Sequence, residues 1–190
     1  MSKIFIVVGH ARGGSFCEAL GEAYRRGAEA AGHDVKLFVT SNMSFDPILH
    51  VEFGRVQPLE PDLQAAHDAM LAADHLVLIF PLWLGTLPAI FKGFLERVLQ
   101  PVLVDFLKSG KYATPLKGKS ARIILTMGMP GLIYRWYYGA YALKMLKRNI
   151  LSFVGVSPIR ATIHGSIGMV SLERRASWLA QAEALGRDAK

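Results

Sequence analysis

Four short runs of β-branched and aromatic residues limit what this chain can fold into. Residues 4–8, 76–80, 123–126 and 159–163 are apolar almost throughout, with Arg160 the one charged residue among them. A strand with one wet face alternates apolar and polar residues. An unbroken run belongs to a strand covered on both faces, which is the habit of parallel sheets. Residues 35–39 carry Lys36 and polar flanks, so this fifth run is expected nearer an edge. Between the runs lie stretches of helical period. Phe16, Leu20, Ala23, Tyr24 and Gly27 share one face of a first helix, with Glu18, Glu22, Arg25, Arg26 and Glu29 opposite and Gly32 as its stop. Further helices are expected over 61–73, 88–99, 138–153 and 172–185. Strands alternating with helices give an α/β chain, a three-layer sandwich whose five-stranded parallel sheet carries helices on both faces. Right-handed crossovers favour the strand order 2-1-3-4-5. Residues 40–60 and 100–119 read as long irregular connections, a length usually tied to function or to a partner.

A single domain over 1–190 is expected, because one core of ordinary size fits this length and no linker-like segment divides it. Cys17 is the only cysteine, which excludes an intramolecular disulfide and a multi-cysteine zinc site and suits a reducing cytosol. As a thiol it reads as a small apolar filler near a helix start rather than a nucleophile. The longest apolar stretch, 76–91, is broken by Pro81, Gly85, Thr86 and Pro88 and falls short of the about 18–20 clean residues a membrane span needs. Lys3 is followed at once by a strand-like run, so no targeting signal is read and a cytoplasmic chain is expected. The net charge of +7 favours anionic partners. No Lys/Arg block, zinc spacing or RNA-binding aromatic motif points to nucleic acid. His33, His50, His67 and His75 show no ligand spacing, and no metal site is expected.

Three segments at the carboxyl ends of expected strands carry chemistry. The first is Gly9-His10-Ala11-Arg12-Gly13-Gly14-Ser15-Phe16. Gly13 and Gly14 let backbone approach a ligand, Ser15 suits a helix cap, and free N–H groups with His10 and Arg12 suit a phosphate. Its spacing matches neither the dinucleotide fingerprint nor a Walker loop. The second segment starts at Pro81, which ends its strand, and passes Trp83 and Gly85 to Pro88, which suits a first helical turn. Trp83 on such a loop suits the border of a flat ligand. The third, from Thr126 through Gly128, Met129 and Pro130 to Tyr134, is expected to expose further amides and a hydroxyl. A phosphate cradle beside two amide-rich aromatic walls fits a ring system with a phosphate tail. His164 and Ser166, after the last strand, are weaker candidates for the same edge.

These motifs resemble a known family. His10-x-x-x-x-Ser15-Phe16, Phe80-Pro81-Leu82-Trp83 through Pro88-Ala89-Ile90-x-Lys92-Gly93-x-x-x-Arg97-Val98, and Thr126-x-Gly128 with Tyr134 look like the flavodoxin-fold NAD(P)H:quinone reductases, the DT-diaphorase group and its bacterial relatives. The resemblance runs from Lys3 to about Tyr134. It implies a flavodoxin-like fold, FMN or FAD as cofactor, NADPH or NADH as donor, a quinone-like acceptor and a homodimer. It implies that His10, Ser15 and Phe16 hold the phosphate or ribityl region, and Arg12, Gly14 and Cys17 of the same segment are expected with them at the cofactor. Pro81, Leu82, Trp83 and Leu84 would line the ring and offer it amides. Thr126, Gly128 and Tyr134 would close the other edge, with Tyr134 as the catalytic hydroxyl. Two departures stand out: Cys17 replaces the family's asparagine, and residues 135–141 lack the histidine that partners the tyrosine.

The expected activity is hydride transfer from NAD(P)H to quinones by a ping-pong cycle, with FMN favoured because little chain remains to wrap an adenosine. The alternative is a flavin-carrying regulatory subunit of a membrane transport system. An electron-carrier flavodoxin is disfavoured because the chain is basic. The aromatic and basic stretch from Tyr134 to Arg148 offers an acceptor pocket, a dimer face, a peripheral membrane patch, or a packed helix with a solvated basic side.

Overall fold

The computed structural model describes every residue except Phe53, 110–113 and Lys190. The five apolar runs form strands β1 (Lys3–Val8), β2 (Asp34–Val39), β3 (His75–Pro81), β4 (Ser120–Thr126) and β5 (Ile159–His164). All pair in parallel in the order β2-β1-β3-β4-β5, as the sequence implied. β3 is buried along its whole length, whereas β2 carries exposed Asp34 and Lys36 at one edge. Six helices surround the sheet: α1 (Phe16–Ala30), α2 (Pro61–Ala72), α3 (Ala89–Ser109), α4 (Gly131–Trp136), α5 (Tyr141–Met145) and α6 (Leu172–Arg187). α1 and α6 cover the face that carries Ile4, Ile6, Val77 and Ile124. The others pack over Phe5, Val7, Leu78 and Ile123. Where α1 meets α6 the backbones touch. A Cβ on Gly27 would stand 1.9 Å from the Glu183 carbonyl oxygen, and one on Gly186 would stand 2.1 Å from that of Tyr24.

Two helices differ from expectation. The third was expected to stop at Leu99, with an irregular connection over 100–119. α3 instead runs through Pro101 to Ser109. Proline removes one ladder donor, but Leu99 before it and Val104 beyond it are both buried, and packing outweighs the local penalty. Residues 110–113 of that connection lie outside the described ones. The helix expected over 138–153 begins only at Tyr141, because Gly139 and Ala140 adopt φ of 59° and 50°. It widens into a π-helical segment over Leu146–Leu151. Ahead of it stands α4, six residues long and too short to show a period.

Residues 43–52 and 54–60 follow a 3-10 turn at Thr40–Asn42 and belong to an irregular strap, as expected. α3 fastens it. The fully buried Arg97 donates from Nη1 to the Asp46 carbonyl, and from Nη2 to the Pro58 carbonyl at 2.7 Å and the Glu60 carboxylate at 2.8 Å. Gln100 accepts from Gln57 N–H at 2.9 Å and donates to the Arg55 carbonyl at 2.8 Å. One turn before Arg97, a Cβ on Gly93 would lie 2.4 Å from the Pro47 carbonyl oxygen. The Gly93-x-x-x-Arg97 spacing therefore seats a strap whose inward carbonyls at Asp46 and Pro58 have no sheet or helix to satisfy them.

Arg97→Met should lower the unfolding free energy, measured with urea, by about 3 kcal/mol, because it orphans several acceptors at once. Arg97→Lys should recover little, since one ammonium cannot span the same acceptors. A loss below about 1 kcal/mol, the size of an ordinary surface change, would mean the strap is held by something else.

Candidate functional site

Because all five strands run one way, the segments after β1, β3, β4 and β5 gather at one edge. The ladder continues one rung into them. Gly9 N–H donates to the Ile79 carbonyl at 2.8 Å, Leu82 N–H to Thr126 at 2.7 Å, and Met127 N–H to His164 at 2.9 Å.

In the first loop Ser15 caps α1, its hydroxyl accepting from Glu18 N–H at 3.2 Å. The Phe16 and Cys17 N–H groups of the opening turn meet no acceptor among the described residues, so the positive end of α1 faces outward. Gly14 has φ +66° and open space where a side chain would stand. Its N–H donates to the Glu18 carboxylate at 2.7 Å, which hangs an acidic group over the loop. His10 Nδ1 accepts from Arg12 N–H at 3.0 Å, and burial holds its pKa below the ordinary value. The ring is therefore neutral at pH 7 and carries its proton on Nε2. It meets Trp83 edge-on with centroids 5.0 Å apart, joining the first and second loops. Arg12 is exposed.

The second loop is a tight turn. Trp83 and Thr86 exchange both backbone hydrogen bonds at 3.0 Å, with Leu84 and Gly85 at the tip at φ of 47° and 80°. This corrects the expected amide donors. Pro81 has no N–H, and Leu82 and Trp83 are engaged inside the protein. The amides without an acceptor among the described residues are those of Leu84 and Gly85. Trp83 is half exposed at the rim.

The third loop is shorter than expected, since α4 starts at Gly131. Gly128 is exposed, and neither its N–H nor that of Met129 meets an acceptor among the described residues. Thr126 is 4% exposed, its Oγ1 lying 3.2 Å from Cys17 Sγ. Burial pushes the Cys17 thiol up to about 11, so this residue offers the cleft only its backbone. Tyr134 departs furthest from expectation. It sits on α4, is 2% exposed, and its hydroxyl accepts from Leu143 N–H at 3.1 Å. The fold turns that hydroxyl into the core between α4 and α5, not toward the other loops.

The C-terminal helix was expected over 172–185 and is found as α6, but its contribution to the cleft was missed by sequence reasoning. Phe16 packs against Trp178 at 6.2 Å and under the Arg175 guanidinium at 6.0 Å. Arg175 donates from Nη2 to the Ile167 carbonyl at 2.7 Å, while its buried Nε has no partner among the described residues. A cavity of about 420 Å³ opens beside the preceding residue, lined by Pro130, Arg135, Ser166, Arg174 and Trp178. The only sequence signal was the Arg174-Arg175 pair just after the Ser171 helix cap. His164 lies beneath Trp178, with centroids 4.5 Å apart, and is 3% exposed. It does not line the cleft. The described residues contain no cluster of three His, Cys, Asp or Glu placed to hold a metal.

A family model described as the flavodoxin-like fold matches residues 2–185. The chain belongs to this family. A relative from Haemophilus influenzae, named an uncharacterized NAD(P)H oxidoreductase, is 27% identical over 165 residues, covering 85% of this chain and 82% of the relative. The rat NAD(P)H dehydrogenase [quinone] 1 is 27% identical over 196 residues, covering 87% and 69%. The FMN-dependent NADH:quinone oxidoreductase of Ruegeria pomeroyi is 25% identical over 159 residues, covering 75% of each chain. Among solved structures, Smu.1420 from Streptococcus mutans UA159 superposes with a TM-score of 0.78 at 28% identity over 97% of this chain and 98% of its own.

Two buried histidines make the flavodoxin-like scaffold acid-sensitive. Burial, aided by nearby arginines, holds His75 and His164 at about 4, against an ordinary 6.5. The unfolded chain binds these protons near pH 6.5 and the native chain only near pH 4, so stability is complete above 6.5 and falls as pH drops toward 4. Urea midpoints between pH 7 and 4.5 should fall accordingly, and His164→Gln should flatten the slope. An unchanged slope in that variant would remove His164 from the account.

Proposed function

We propose that this chain is a flavin-dependent NAD(P)H oxidoreductase that reduces quinone-like acceptors. The observation that carries the reading is the set of unpaired amides on three neighbouring loops: Phe16 and Cys17, Leu84 and Gly85, Gly128 and Met129. They stand beside the His10–Trp83 wall. The named activities of the Haemophilus, rat and Ruegeria relatives support it.

The residues fit FMN. The α1 N-terminus, the open space at Gly14 and the orphaned Arg175 Nε suit a phosphate. The outward amides at Leu84 and Gly85 suit the acceptor atoms of a flat ring, and the Trp83 rim shields them from water. A bound flavin supplies two-electron exchange between a nicotinamide and an acceptor. Amides fixed in advance stabilise negative charge without reorganising during reaction, and this is the protein's main contribution. Neutral His10 adds an Nε2–H donor at the same edge. Donor and acceptor take turns in one open cleft, which is a ping-pong order. We place the homodimer contact on the apolar groove between α3 and the π-helical segment, a cavity of about 310 Å³ lined by Leu95, Leu99, Leu103, Met145 and Ile150. Tyr134, with its hydroxyl held by Leu143, is proposed as a positioning residue that fixes α5 behind the Gly128 loop.

Titration with FMN, followed by flavin fluorescence quenching, tests the site. Ser15→Asp should abolish binding by putting a carboxylate against the phosphate. Glu18→Gln should tighten it by about five- to tenfold, because it removes a like charge near the anion at effective surface dielectric. Failure of the native chain to take up FMN would sink the reading. Steady-state NADPH and menadione kinetics should give parallel double-reciprocal lines. A flavoprotein without turnover would instead favour the regulatory subunit. Tyr134→Phe should leave kcat within about threefold while lowering the urea midpoint, since a single buried hydrogen bond contributes about 1 kcal/mol. A hundredfold fall in kcat would restore a catalytic hydroxyl.

A further inference from the structure

We infer that the surface formed by α4, α5 and the π-helical segment docks onto an anionic lipid bilayer. Between residues 106 and 172 the chain has no Asp or Glu but ten Lys and Arg. Within that span, Arg135, Lys144, Lys147 and Arg148 are interleaved in sequence with aromatic side chains that the fold leaves outside. Trp136 is 84% exposed, Tyr137 81%, Tyr138 49% and Tyr141 73%. Leu132 and Ile133 of the same short helix are also exposed. Single exposed apolar residues are ordinary on a folded protein, but an indole, three phenols and two aliphatic side chains in one strip are not.

The composition matches the headgroup layer of a membrane. Indole and phenol rings settle where apolar and wet regions meet, and aliphatic tips can enter just below. Lys and Arg are drawn to anionic headgroups, and no acidic residue of this strip opposes them. Lys144 already sits 5.6 Å over the Tyr141 ring, with the cation and the aromatic side chain together at the surface.

Other occupants fit less well. Two copies of the strip would bring eight cations together with no carboxylate between them. Tyr137 and Tyr138 meet edge-to-face at 83°, not as the parallel ladder on which single-stranded nucleic acid stacks. No described helix is long and apolar enough to cross a membrane, so the contact is peripheral. α4 starts three residues after Gly128, so docking holds the Gly128 loop at the bilayer surface. If the Proposed function holds, lipid-soluble acceptors then lie next to the cleft. The docking itself does not rest on that reading.

Sedimentation of the full chain without flavin tests it, using vesicles of phosphatidylcholine alone or with one-third phosphatidylglycerol. The protein should pellet with the anionic vesicles, remain in solution with the neutral ones, and be released by salt as surface charges are screened. Lys144→Glu with Arg148→Glu should lower the partition coefficient by at least about tenfold. Trp136→Ala should lower it severalfold. Arg26→Glu with Lys36→Glu makes the same charge change on α1 and β2 and should leave binding nearly intact. Circular dichroism melts of each variant separate lost binding from lost fold. No pelleting with anionic vesicles, or equal losses in the two charge-reversal pairs, overturns the inference. So does a mass by light scattering that halves in Trp136→Ala without lipid, which would assign the strip to a second copy. Because the assay needs no FMN, failure of the flavin reading leaves its result untouched.

Discussion

Three hydrogen bonds beyond the ends of the strands, from Gly9 N–H to Ile79, Leu82 N–H to Thr126 and Met127 N–H to His164, set the height at which the loops leave the sheet. Each is the last rung of a parallel pair, and together they cross from β1 to β5. The candidate cleft depends on them. The Leu84–Gly85 tip and the Gly128 turn each start within two residues of a rung, so their amides are spaced by the sheet, and the first loop spans seven residues from its rung to the α1 N-terminus. The Cys17–Thr126 contact and the Thr40 hydroxyl, which reaches the Val8 and His10 carbonyls, brace the same edge from below. Amides fixed in this way lose little entropy when they meet a ligand, and this rigidity underlies pre-organised binding.

The segment from Phe80 to Val98 divides into two tasks. Its first half turns at the cleft. Its second half, through Gly93 and Arg97, secures the strap behind it. A short motif can therefore look like a binding signature when half of it serves packing. Among its described residues the strap has no helix or strand of its own, and the side chains of Arg97 and Gln100 supply hydrogen bonds that a strand or helix would otherwise provide.

Strand positions and order were legible because unbroken apolar runs have one common explanation, a sheet buried on both faces. The first helix was legible from its period and its serine cap. The identity of the free amides was not. It turns on Leu84 entering the left-handed region, a state a leucine rarely advertises, which closes the turn and engages Trp83. The fate of Tyr134 was hidden because α4 is too short to carry a period, so a helix residue read as a loop residue. The run of α3 past Pro101 was hidden because the local penalty is visible in sequence and the compensating burial of Val104 is not. Arg175 was missed because it reaches Phe16 only through the tertiary packing of α6.

That packing has a temporal consequence. α1 begins one side of the cleft near the start of the chain, and α6 completes it near the end, with Gly27 and Gly186 letting the two backbones touch. Contacts so distant in sequence close late, because the intervening loop entropy must first be overcome. The sheet can assemble while Phe16 still lacks Trp178 and Arg175 above it. A ligand that needed both helices would then be captured at the end of folding rather than at its nucleus.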